Sequence, residues 1–139
     1  MTLPRDAAAL AGDPAQIRAL AYLMPGKADP AQRSPVVLLM TEADLRRRER
    51  RIIEAPDITP ERKQVLVQDL NAQAATLAID DQRRVVVPAH LVDYLKLDRD
   101  VLFVTTGDLI YLWNPDEFRS WSAAAAPADA PDLSRFILV

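Results

Sequence analysis

The stretch Ile79-Asp80-Asp81-Gln82-Arg83-Arg84-Val85-Val86-Val87-Pro88 decides how the second half of this chain is read. Ala75 to Ile79 has strand length, and Arg84 to Val87 is rich in β-branched residues, so both are predicted strands. The polar residues Asp80 to Arg83 between them predict a turn, where an aspartate side chain can accept backbone N–H groups. Pro88 has no N–H to give a ladder and suits a helix start, so a short helix is expected over Ala89 to Leu95. Two further strands, Val101 to Thr105 and Leu109 to Trp113, are joined through Thr106-Gly107-Asp108. Pro115 to Trp121 reads as a last short helix.

Working back towards the N-terminus, Ile17 to Met24 and Pro35 to Met40 are apolar runs of strand length around a polar loop, a hairpin pattern. Pro4 to Leu10 reads as a short helix stopped by Gly12. Thr41-Glu42-Ala43-Asp44 resembles a capping box and opens a helix to about Glu54, with Leu45 and Ile52 on one face. Thr59 and Pro60 suit the N-cap and first position of a second helix, with Val65, Leu66 and Leu70 on one face. Leu3-Pro4 stands before its hairpin as Val87-Pro88 stands before the later one, so the first half has the order of an incomplete copy of the second.

Composition narrows the chemistry. The chain has 139 residues, 50% hydrophobic and 27% charged, the balance of a folded globular protein. It has no cysteine and one histidine, His90, which excludes thiol chemistry and, within one chain, a histidine cluster. The net charge is −3, from 17 basic and 20 acidic residues, so nucleic-acid binding would have to rest on a local patch. No apolar run approaches the ~20 residues of a membrane span, and the start lacks the order of a signal peptide, so a cytoplasmic protein is expected. Ser122 to Asp132 is low-complexity and expected to be disordered, with an apolar ending, Phe136 to Val139. No nucleophile elbow, phosphate-binding glycine loop or metal-ligand spacing occurs, so neither an enzyme nor a cofactor is expected.

The segment from Ile79 to Pro88 resembles the L-D-x-x-G-R-[apolar]3-P signature of the MraZ family, within the AbrB-like group of swapped-hairpin DNA-binding proteins. Leu91 to Leu97 resembles that family's L-x-x-x-A-x-L helix. Gly107 to Trp113 resembles its G-x-x-x-E-x-W strand, and Asp116-Glu117-Phe118 its closing helix. Val36 to Arg46 followed by Thr59 to Leu70 resembles its strand-to-helix passage and linking helix. Arg83 stands where the family has glycine, and Tyr111 where it has glutamate. The first D-x-x-G-R motif is absent.

The resemblance implies an α+β fold of swapped-hairpin AbrB-like β-barrel halves joined by two tandem helices. Its divisions are a degraded or truncated first half (1–40), linking helices (41–73), a second half (74–121) and a tail (122–139). It implies a sequence-specific transcriptional regulator that binds double-stranded DNA at the promoter of the division and cell-wall gene cluster. Such a protein would be nucleoid-associated and a homo-oligomer of ring-like form. Its DNA-contact residues would be Arg84 at a base edge, Arg83 on phosphate, and Asp80 and Gln82 in the turn.

Each signal has a plainer reading. Arg83 and Arg84 could simply form a solvated turn paired with Asp80 and Asp81. The run Arg46-Arg47-Arg48-Glu49-Arg50-Arg51 fits a solvated helix face better than a nucleic-acid patch, because Glu42/Arg46 and Asp44/Arg48 have i,i+4 spacing. Trp113 and Trp121 read as core anchors, and His90 as a surface residue. Two other functions fit the same chain: an oligomeric interaction protein of this family that has lost DNA binding, and an antitoxin-type AbrB-like protein.

Overall fold

A computed structural model describes residues 2–3, 14–131 and 133–137. Strands β1 (Gln16–Pro25) and β2 (Arg33–Met40) lead into helices α1 (Glu42–Glu54) and α2 (Pro60–Gln73). After these come β3 (Ala75–Ala78), α3 (Ala89–Leu95), β4 (Leu102–Thr105), β5 (Ile110–Trp113), α4 (Pro115–Ala123) and α5 (Ser134–Ile137). The strands form one five-stranded sheet in the order β3-β1-β2-β5-β4, with every neighbouring pair antiparallel. The α+β class expected from sequence is therefore observed.

β2 is the central strand, and its run Val36 to Met40 is buried throughout. Because successive side chains alternate, this apolar run supplies two cores. Val37 and Leu39 pack with Ile17, Ala19, Ile110 and Leu112, beneath Leu91 and Leu95 of α3. Val36, Leu38 and Met40 pack on the opposite face with Leu45 of α1 and Trp113. Phe118 and Trp121 of α4 close over Trp113, with ring centroids 5.3 and 5.2 Å from it. The Trp121 indole N–H donates to the Pro25 carbonyl at 2.9 Å, so α4 is pinned to the end of β1. The bend after β1 needs Gly26, where a Cβ would lie 2.5 Å from the Asp29 carbonyl oxygen.

The caps expected at Thr41 and Thr59 form, and Asn114 adds a third. Thr41 Oγ1 accepts the Asp44 N–H at 3.2 Å, Thr59 Oγ1 accepts that of Arg62 at 3.2 Å, and Asn114 Oδ1 accepts that of Asp116 at 2.9 Å. Asp44 answers Thr41 at the hydroxyl, 3.1 Å away, where a capping-box glutamate would reach back to the backbone N–H.

Four expectations need correction or comment. Arg84 to Val87 is not a ladder strand: its one bridge among the described residues joins Arg84 to Thr2. β3 pairs instead with β1, through Ile17↔Leu77, while the Arg83 carbonyl accepts the Leu3 N–H and Arg84 bridges Thr2. On α2, Leu66 and Leu70 turn inward while Val65 is 52% exposed, because adjacent residues lie ~100° apart around a helix. The last helix of the second half continues past Trp121 to Ala123. The helix expected over Pro4 to Leu10 lies outside the described residues.

Candidate nucleic-acid interface

Asp80 organises the 80–84 turn. Its Oδ1 accepts the backbone N–H groups of Gln82 and Arg84, each at 2.8 Å. Its Oδ2 accepts the Nε–H of Arg84 at 2.9 Å. The main chain closes the loop, with the Arg83 N–H donating to the Asp80 carbonyl at 3.0 Å and the Asp80 N–H to the Arg84 carbonyl at 3.1 Å. These bonds favour the ionised carboxylate. The Arg84 backbone N–H contributes most, and together they hold Asp80 below its ordinary 3.8.

Arg83, at the position of the family glycine, has φ 61°. An L-residue in this left-handed region costs ~1 kcal/mol or more relative to glycine. The turn has kept the left-handed backbone rather than shifting to suit its arginine.

Gln82 and Arg84 are exposed and Arg83 is half-buried. Two shallow grooves flank Arg84. One is lined by Thr2, Asp81, Gln82 and Arg83, the other by Ala78, Ile79, Asp80, Val85 and Val86. The tip thus brings together Asp80, Gln82, Arg83 and Arg84. The Asp80–Arg84 ion pair of the plainer reading is present, through Nε. Among the described residues the Arg84 Nη1 and Nη2 atoms have no partner, so this edge is available to an acceptor pair.

The basic run on α1 is arranged differently from its spacing. Arg46 pairs with Glu42 as expected and also with Glu49. Asp44, however, pairs with Arg47 at 2.6 Å, while Arg48 donates to Asp108 in the β4–β5 turn at 3.0 Å. Of its i,i+4 partner Arg48 keeps only the main-chain carbonyl, at 3.3 Å, because the Asp44 carboxylate is taken by Thr41 and Arg47. Arg50 and Arg51 are exposed and form no ion pair among the described residues. His90 is exposed, and Trp113 is core.

Sequence reading missed the brace behind the tip. Leu3, 2% exposed, packs with Val85, and Thr2 bridges Arg84. Only the likeness of Leu3-Pro4 to Val87-Pro88 hinted that these residues matter. It also missed Arg18, whose guanidinium joins Glu42 of α1 and the Ala74 carbonyl after α2, each at 2.9 Å. Among the described residues no cluster of three or more acidic or histidine side chains could hold a metal. No described helix is long and apolar enough to cross a membrane.

Residues 70–136 match the family described as "MraZ protein, putative antitoxin-like". A protein of Chromobacterium violaceum named transcriptional regulator MraZ is 36% identical over 103 residues, 73% of this chain and 68% of that one. Proteins of the same name from Ruegeria sp. and Rickettsia bellii are 28% and 29% identical, over 46% and 55% of this chain. These two alignments span 38% and 51% of the relatives' own length.

Proposed function

Because the chain belongs to the MraZ family, we propose that it is a transcriptional regulator that binds duplex DNA sequence-specifically through the 80–84 turn. The observation that carries this reading is Arg84, held at an exposed tip with its Nη edge unpartnered among the described residues. A guanidinium presented this way suits the O6 and N7 acceptors of guanine in a major groove. Arg83 beside it suits a phosphate, and Asp80 and Gln82 complete the contact surface. The target that follows from the resemblance is the promoter of the division and cell-wall gene cluster, which would place the protein at the nucleoid.

Two AbrB-like halves are part of the same proposal. Each hairpin leads into a helix opened by a side-chain cap, at Thr41 and Asn114, and the hairpins meet through Val37↔Leu112. One reading tip per chain makes a weak binder, and self-association into a ring would multiply the contacts.

An interaction protein of the same family without DNA binding is the second reading. The observation favouring it is the Asp80–Arg84 pair, which offsets the charge of the tip.

A titration separates the two. The full chain is titrated with promoter duplex from its own genome and with a shuffled duplex, at two salt concentrations. Preference for the promoter is expected. Equal affinity at low salt would sink the regulator and leave the interaction protein.

A further inference from the structure

We infer that Asp80 is a positioning residue for DNA recognition, holding Arg84 by Nε so that its Nη1/Nη2 edge is preset as a two-donor fork. The inference rests on the DNA-binding reading of the tip and adds how that tip discriminates.

The geometry separates this role from an ordinary surface ion pair. Exposed pairs usually hold two mobile side chains against their own entropy and contribute little. Here the carboxylate is restrained by the backbone of its own turn. Its Oδ1 is fixed by two backbone N–H groups, of Gln82 and Arg84, both at 2.8 Å. Oδ2 therefore stands at a place set by the turn, and the Nε–H of Arg84 meets it at 2.9 Å. Arg84 thus takes its orientation from the backbone of its own loop. Losing that rotamer freedom before DNA arrives reduces the ordering cost on binding.

Charge adds a second effect. A carboxylate against the guanidinium weakens its attraction for any phosphate, while the free edge can still meet a base pair with matching acceptors. Non-specific contact is penalised more than specific contact, which is how discrimination rises without a gain in affinity.

The test uses Asp80→Asn in the full chain. Asparagine keeps an oxygen for the two backbone N–H groups, but its amide cannot accept from Nε. The preference for promoter over shuffled duplex should fall about tenfold, the worth of one well-oriented bidentate pair. Affinity for the shuffled duplex should hold or rise. In an Arg84→Ala background the same substitution should leave the preference unchanged, because the two residues act through one contact. A second measurement needs no variant. By NMR, the Nε–H of Arg84 should exchange with water more slowly than that of Arg50, which forms no ion pair among the described residues.

Three outcomes overturn the inference while leaving DNA binding intact. Asp80→Asn keeps the preference, or it lowers the preference equally without Arg84, or the two Nε–H groups exchange equally fast. An unmodified chain with no promoter preference overturns both the inference and the reading beneath it.

Discussion

The backbone N–H of Leu3 donates to the Arg83 carbonyl at 2.8 Å. This bond fastens a buried residue near the N-terminus to the turn position whose φ is 61°. Thr2 bridges Arg84 alongside it, so the candidate DNA-reading tip is braced by chain some eighty residues away in sequence.

The strain at Arg83 predicts an order among its replacements. Glycine adopts a positive φ freely, whereas alanine keeps the Cβ penalty and loses the same side chain. Arg83→Gly should therefore be about 1 kcal/mol more stable than Arg83→Ala. Urea unfolding measures the difference, and equal midpoints would mean the turn relaxes out of the left-handed region.

The two arginines of the tip should behave differently on DNA. Arg84→Ala should cost ~1–3 kcal/mol on the promoter and relax specificity. Arg83→Ala should weaken all duplexes alike and reduce the salt slope by about one unit. Arg47→Ala, which breaks the pair with Asp44, should leave both quantities unchanged. If Arg47→Ala is damaging and Arg84→Ala silent, the reading surface lies on α1 instead.

Asp80 predicts a response to acid. Its pKa in the folded chain is depressed below 3.8, first by the Arg84 backbone N–H. A depressed carboxylate contributes its stability above the unfolded value and loses it as pH falls through the folded one. From about pH 5 to about pH 3, Asp80→Asn should lose less melting temperature than the unmodified chain, because its turn bonds no longer depend on ionisation. Identical acid slopes would show that the turn is open in solution.

The tail should add little stability. Leu133, Phe136 and Ile137 are 74%, 71% and 67% exposed, so they bury little apolar area. Deletion of residues 125–139, beyond α4, should therefore move the melting temperature by only a few degrees. A large drop would mean these side chains dock on the folded protein.

Self-association has a direct check. β3 and β4 are the two edges of the sheet, and exposed edges invite pairing unless covered. At micromolar concentration light scattering should give a mass above that of a dimer. A monomeric mass would remove the ring from the proposal.

What the sequence determined by itself was local. Thr41, Thr59 and Asn114 cap their helices through N–H groups two or three residues away. The tip was legible for the same reason, since Asp80 meets Gln82 and Arg84 within its own loop. The unbroken apolar run Val36 to Met40 marked a buried strand wherever that strand was placed. The tertiary structure decided which distant groups become partners. It gave β3 to β1 rather than to Arg84–Val87, and the Arg48 ion pair to the Asp108 carboxylate, 60 residues away, rather than to that of Asp44. It also set Leu3 behind Arg83. Spacing encodes contacts within a turn or two of chain. Contacts across the sheet depend on strand order, and strand order is set by the burial of both faces of β2 at once.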